Sequence, residues 1–540
     1  MEDLSPPFLA FFLILLLLVP FIMFLFKKSV SDQPPRLEEA VPYVTNVYQY
    51  MTNKKLFLER VAKALSKSPV VQCRLGPMNI YCITGASNIA AMFRPAAISD
   101  PWIIRILTTT AGYQPNDLEK FAQDTTGGGR VPRPGTEAPH NKRIWHAMHQ
   151  IYDEHLAKSH AVTSLSKSFQ HFFGKELDRV PLDGHEWEEV GVQDFLRQHM
   201  ATAVVSAITG PRLIEINPDF IGAFWKYQIY AEKLAFGMPE WMNADGIRAR
   251  ETVRAMCEKW YQVSDERFDW GAEMSDVAFE ENFGSRLSRE LCRWGKRFDF
   301  SSESMGSLYC LLFFGLNSNM IFMTIWYLIE VLKNPDLLCS AKEAMASCFV
   351  EDDSGSQKLD PQKLASNPLL QSIYIEVLRM HVSINITRTL KDPAVIGGYP
   401  LAAGAVIQAP SHVAHLDEET WGSDGHPASE FWGERHLKTT EAVGSDGKRT
   451  EKKEFSLGNR SGSFLPYGGG VDICPGRHLA KTQIILASAM FLTKFDIKFL
   501  GWVNPDGSPS KLPVGDDYSY AGAHALPPAG DMKLKWRRVA

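Results

Sequence analysis

The chain has 540 residues, 45% hydrophobic and 22% charged, with 39 Gly and 32 Pro. That balance excludes disorder and collagen and allows a large buried core. Its 57 Lys and Arg against 62 Asp and Glu leave a formal charge of −5, so no overall basic field exists to hold nucleic acid through its phosphates.

In chain order, the first element is the uncharged run Phe8 to Phe26 (FLAFFLILLLLVPFIMFLF). At about 1.5 Å per residue a helix of this length spans roughly 30 Å of bilayer hydrocarbon. Glu2 and Asp3 precede it and Lys27 and Lys28 follow, which places the body of the chain on the cytosolic side. The basic start and small-residue cleavage site of a signal peptide are missing. The expected organisation is a membrane anchor over 1–28, a proline-containing hinge over 29–42 in which Pro34 and Pro35 fix φ, and one large domain over 43–540. No Gly-, Ser- or Pro-rich linker divides that body.

Strand-like alternation is predicted near Val70 to Ile83, Ala394 to Pro410 and Met532 to Val539. Helical periodicity covers Arg143 to Ala157, Gln193 to Ile208, Glu303 to Leu332, Leu369 to Met380 and Arg477 to Lys494. The fold class is therefore mainly α with a small β-sheet region. Gly127 to Gly135 and Lys438 to Ser463 read as surface loops. Leu308 to Leu332 is apolar enough to imitate a second membrane span, yet Asn317, Ser318 and Asn319 at its centre point to a buried helix lining a cavity. Eight cysteines lie scattered without paired C-x-x-C spacing, which argues against a disulfide framework and a structural zinc site.

One cysteine stands apart. In Phe464 to Ala480 (FLPYGGGVDICPGRHLA), Cys474 follows three glycines, precedes Pro475 and Gly476, and leads into an amphipathic helix. Glycines let backbone approach a flat ligand, and a helix N-terminus offers positive potential to a sulfur anion.

This stretch resembles the ligand loop of the cytochrome P450 haem-thiolate family, with Tyr467, Gly468, Gly470, Cys474 and Gly476 at the matching positions. Glu376 and Arg379 in IEVLR look like the family's E-x-x-R pair, and Arg435 in FWGERH looks like the Arg completing its buried triad. The resemblance implies a haem-thiolate catalytic domain over 43–540 that holds haem b (iron protoporphyrin IX) through the Cys474 thiolate. Trp145, His149 and Arg388 fall where relatives bind haem propionates, although His149 replaces a customary Arg. Asp472 stands where many relatives have a basic residue, and an acid there would repel a propionate.

In the central helix the usual acid and Thr of the family are replaced by Ser318 and Asn319, a pattern similar to the branch with prostacyclin synthase and the bile-acid sterol hydroxylases. Asn cannot titrate. The resemblance therefore leaves two reactions open: monooxygenation using O2 and NADPH-derived electrons, with Ser318 and Asn319 facing bound oxygen, or isomerase or dehydratase chemistry without external electrons. It implies NADPH-cytochrome P450 reductase as partner, with Lys448 to Lys453 as a candidate docking rim. With the anchor, it implies a single-pass protein of the endoplasmic reticulum membrane whose catalytic domain is cytosolic. The substrate expected is a lipophilic sterol, terpenoid or polyketide-type molecule of secondary metabolism, in contact with membrane lipid. Its cavity would be lined by Phe314 to Phe322, Val382 to Ile386 and Gly522 to Leu526.

Overall fold

The computed structural model describes residues 33–539 except 95–96, 183–185, 272–276, 352–354, 424 and 444–448. The expected membrane anchor and the first four residues of the hinge, 29–32, lie outside the described residues. The chain divides into two compact units, a smaller one from Met1–Ser99 with Asn385–Ala414 and a larger one from Asp100–Ile384 with His415–Ala540.

The smaller unit is built on a five-stranded sheet. Val70–Leu75 and Met78–Ile83 form an antiparallel hairpin with Val70 opposite Ile83 and Leu75 opposite Met78. Gly76 has φ 58°, the left-handed region in which glycine carries no Cβ penalty. Val406–Pro410 runs parallel to the second strand and antiparallel to Asn385–Leu390. Alternation buries Val71, Cys73, Ile80, Cys82, Ile407 and Ala409. Part of the expected hinge is docked on this sheet: Gln72 N–H donates to Pro35 O at 2.8 Å and Leu37 N–H to Gln72 O at 2.9 Å.

The larger unit is helical around Ser302–Lys333, a 32-residue helix apolar on nearly every side, as a helix buried in a large core must be. Ser301 caps it by accepting from Ser304 N–H, and Asp117 in turn accepts from Ser301 N–H and Oγ–H. Glu240–Arg267, Pro368–His381 and Arg477–Lys494 pack against it. The helices predicted over Arg143 to Ala157 and Gln193 to Ile208 each contain a wide π turn, at Asp153–Ala157 and Leu196–Met200. A four-stranded sheet joins Phe495–Val503 and Asp531–Arg538 to Pro509–Ser510 and Glu188–Gly191.

The stretch Lys438 to Ser463 is not the loop that its polarity suggested. Leu437–Val443 pairs antiparallel with Arg449–Phe455, placing Lys438 opposite Glu454 and Thr440 opposite Lys452. Composition marked the stretch as solvated, while cross-strand pairing of alternate residues decided its backbone. Its cations are partly neutralised, since Lys453 meets Glu434 at 2.9 Å and Lys452 meets Glu454 at 2.9 Å, which weakens the case for a basic docking rim.

Candidate active site

Of the eight cysteines, Cys474 and Cys339 are exposed and the other six are buried. Cys339 lies on the outer face of Pro335–Ala346, one turn from Glu343. Cys474 instead closes a tight loop, with its N–H donating to Tyr467 O at 3.0 Å and Ile473 N–H to Gly470 O at 3.3 Å. Gly468 and Gly470 have φ of 72° and 70°, so side chains there would be strained. Although the residue is exposed, burial of the sulfur among loop atoms pushes the thiol up, while the backbone N–H groups of Gly476 and Arg477 and the Arg477 charge pull the other way. Arg477–Lys494 begins directly after Gly476, so the sulfur lies at a helix N-terminus with donors aimed at it.

Tyr467 reaches back to the triad helix, where its hydroxyl meets that of Tyr374; burial pushes both phenols up. Below them Glu376 is fully buried in a network larger than the expected triad. Its Oε1 accepts from Arg379 and Arg435 at 2.8 Å each and its Oε2 from Arg379 at 2.8 Å and His436 at 3.1 Å. Burial raises the Glu376 carboxyl, but the hydrogen bonds from Arg379 and His436 outweigh it and hold the group well below the usual range. Burial lowers His436 against the pull of Glu376, keeping a neutral ring that donates Nε2–H. Arg379 and Arg435 also donate to the carbonyls of His415, Ala428, Trp421, His426, Pro427 and Glu430, so the network pins the strand-poor segment leading to the Cys474 loop. His436 was overlooked in sequence although it directly follows Arg435.

The helix Ile144–Tyr152 holds the Cys474 loop from another side. The Trp145 indole N–H, expected to reach a propionate, instead donates to Phe121 O at 3.0 Å. The His149 ring, likewise expected at a propionate, donates from Nε2 to Val471 O at 2.9 Å. The loop before this helix folds around buried Arg143, which donates to Arg130 O at 2.9 Å, Thr126 Oγ1 at 3.1 Å and Gly127 O at 3.4 Å. From the same loop Arg133 forms a bidentate pair with Asp100, and Asp472 adds to the negative field that raises Arg133. The acid that seemed out of place therefore lies within electrostatic reach of a cation which the motif alone did not reveal. Arg388 lies in the smaller unit, buried on Asn385–Leu390 with its guanidinium 5.7 Å from the Phe93 ring centroid.

On the central helix the least buried stripe is Leu311, Phe314, Gly315 and Asn319, with Gly315 exposed. Asn319 Nδ2 donates to Gly315 O at 3.1 Å and its Oδ1 accepts from Ala525 N–H at 3.1 Å. Ser318 does not share this open stripe. It is fully buried, and its hydroxyl has no hydrogen-bond partner among the described residues, whereas Asn319 is half-buried on the open stripe. A 100° step separates neighbours on a helix, which adjacency in sequence conceals. Of the expected lining segments, Gly522 to Leu526 meets each of the other two, since Gly522 N–H donates to Ser383 O at 2.7 Å and Ala525 N–H to Asn319 Oδ1 at 3.1 Å.

A family profile described as Cytochrome P450 matches residues 299–512. The chain is 37% identical over 513 residues to the cytochrome P450 monooxygenase calL of Penicillium decumbens, covering 94% of this chain and 93% of that one. It is 27% identical over 531 residues to the cytochrome P450 monooxygenase fsoE of Humicola fuscoatra, covering 94% and 88%. It is also 26% identical over 250 residues to a cholesterol 7-alpha-monooxygenase of Cricetulus griseus, covering 44% and 46%.

Proposed function

Because the chain belongs to the cytochrome P450 family and is a cytochrome P450 monooxygenase, we propose that it is a membrane-anchored form acting on a lipophilic small molecule of secondary metabolism. In this reading Phe8 to Phe26 anchors it in the endoplasmic reticulum membrane with its body in the cytosol, and NADPH-cytochrome P450 reductase supplies electrons. Its apolar substrate of sterol, terpenoid or polyketide type reaches the site from the bilayer. The fungal relatives named as monooxygenases cover nearly the whole chain.

The residues present fit a haem held through sulfur. Cys474 is exposed beside backbone donors, and a Cβ added at Gly468 or at Gly315 would meet no protein atom within 4 Å, so a flat ligand can approach both backbones. Haem bound through a thiolate supplies oxygen binding and cleavage and the oxidation of unactivated carbon.

The protein's own contributions follow from the geometry. Gly476 and Arg477 donate to the sulfur and favour its anion. His149 fixes Val471 and so the approach of the ligand loop. Asn319, tied at both ends to Gly315 and Ala525, is a fixed amide that orients a water or a substrate oxygen without titrating. The aromatic rings Phe314 and Phe322 and the segment Gly522 to Leu526 exclude water from the reacting face.

The observation that carries the reading is the exposed, glycine-framed Cys474. Its test is expression in microsomes with a panel of apolar precursors. Product gaining one oxygen, formed only with both NADPH and air, is the expected result. Product of unchanged mass, or with water lost, formed anaerobically without reductant, would establish isomerase or dehydratase chemistry instead.

A further inference from the structure

Between the helix Phe220–Phe236 and the segment Gly522 to Leu526 lies a group of polar side chains that the thiolate chemistry does not use. Gln228 is 1% exposed and His524 2%. His524 Nδ1 lies 2.6 Å from the carbonyl of Ala525. A carbonyl only accepts, so the ring proton sits on Nδ1 and Nε2 is an acceptor. The Gln228 amide nitrogen donates towards that Nε2 across 3.5 Å. Its Oε1 then points away from the imidazole, and this buried oxygen has no hydrogen-bond partner among the described residues. The His524 ring packs on Phe314 at 5.6 Å and Phe322 at 6.1 Å. Ser318 stands midway between those two rings on one stripe of the central helix, four residues from each. Its hydroxyl is likewise buried and unpartnered.

Unpaired buried polar atoms cost free energy; here one belongs to the side chain that meets the imidazole and the other to the helix stripe whose two rings pack on it. Ala525 links the group to the open stripe, because its N–H holds Asn319 Oδ1 at 3.1 Å and its carbonyl holds His524. We infer that Ser318 and Gln228, the latter oriented by His524, bind a hydroxyl group of the substrate, at a point remote from the carbon that is oxidised. A hydroxyl carries one donor and two acceptor lone pairs; it donates to Gln228 Oε1 and accepts from Ser318 Oγ–H. An ether or ketone lacks the donor. A carboxylate would set its charge against Gln228 Oε1 and pay for desolvation. The substrate class is therefore an apolar alcohol, a statement that rests on the monooxygenase reading above and narrows it.

Two measurements test this. In the first, the haem-loaded protein is titrated with geranylgeraniol and its methyl ether, and with cholesterol and its methyl ether, following the Soret band. The parent is expected to bind an alcohol about tenfold or more tighter than its ether, because a site built to pair a hydroxyl rejects the analogue lacking it. Gln228→Met and Ser318→Ala should each bring that ratio to within about twofold and leave ether binding unchanged. Equal binding in the parent, or a preference that survives both substitutions, overturns the inference.

The second measurement is the Tm of the ligand-free protein, and it decides the matter where no probe binds. Ser318→Ala removes an orphaned buried atom, so its Tm should hold or rise by about 1 °C or more, while Gln228→Met, which loses an orphaned oxygen together with the long bond to His524, should change little. A fall of several degrees in both variants would identify these groups as structural braces or as a site for a resident water, and would overturn the inference. A parent whose reduced carbon-monoxide complex lacks a thiolate-shifted Soret band would instead remove the haem reading itself.

Discussion

Replacing Arg435 by Ala tests the buried network beneath the Cys474 loop. The Arg435 side chain is 0% exposed and its guanidinium donates to Glu376 Oε1 at 2.8 Å and to four backbone carbonyls. Its removal does not strand everything it touched. Glu376 keeps Arg379, His436 and the Trp432 N–H. His426 O keeps Ser423 N–H and Pro427 O keeps Glu430 N–H, while Glu430 O keeps Arg379. The electrostatic loss therefore falls at the lower end of the range for breaking a buried pair, about 3 kcal/mol. The cavity left beside Trp421 and Trp432 adds about 1–2 kcal/mol, because packed rings collapse only partly. A sum of about 4–5 kcal/mol is a third or more of ordinary domain stability.

Urea unfolding followed by tryptophan fluorescence should show that loss with an unchanged m value, together with reduced haem retention. Arg435→Lys should recover part of it, since an ammonium keeps the charge without the planar fan of donors. The sign with pH is fixed by Glu376, whose folded value is depressed below the ordinary 4.5. Its contribution is complete above about pH 4.5 and disappears as pH falls through the lower folded value, so the gap between parent and Arg435→Ala should be constant above pH 5 and narrow only as pH falls from about 4.5 towards that lower value. A loss under about 1 kcal/mol with full haem content would refute the reasoning.

Further expectations concern other parts of the chain. Cys474→Ala should abolish haem retention while Cys339→Ser, at the other exposed thiol, leaves the spectrum unchanged; equal effects of the two would contradict the assignment. Asn319→Ala frees both Gly315 O and Ala525 N–H and should raise the peroxide released per NADPH consumed severalfold, a ratio measurable without knowing the product's structure. Asp531 is raised from 3.8 to about 6 by burial and by neighbouring Asp194. A raised carboxyl pKa makes the folded state the better proton binder, so stability is highest below about pH 4 and is lost as pH rises through about 6. Asp531→Asn, whose single oxygen can still accept from Gln193 and Met532 N–H, should be more stable than the parent above pH 6 by up to about 3 kcal/mol, with the difference vanishing near pH 4 in a Tm series.

Some of this was readable before any fold was known. The helices predicted over Glu303 to Leu332, Leu369 to Met380 and Arg477 to Lys494 occur as Ser302–Lys333, Pro368–His381 and Arg477–Lys494, because long periodic runs bounded by Ser, Pro or Gly carry their own start and stop signals. Glu376 with Arg379 is equally local: three residues on a helix bring the two side chains to one face whatever surrounds them. The hairpin over Leu437–Val443 and Arg449–Phe455 was missed because its residues are polar on both faces, leaving no alternation to read.

What the amino-acid order determined by itself is the chemistry confined to a few neighbouring residues: a lone sulfur framed by glycines, a Glu and Arg one helical turn apart, and a central helix without the usual acid and Thr. What tertiary structure alone decided is every partnership across long stretches of chain. It brought Arg133 near Asp472, tied His149 to Val471 and Asn319 to Ala525, and separated Ser318 from the open stripe despite its adjacency to Asn319. Backbone spacing sets local geometry within a turn, but which distant donor meets a given acceptor depends on how packed helices present their faces, and short motifs do not encode that.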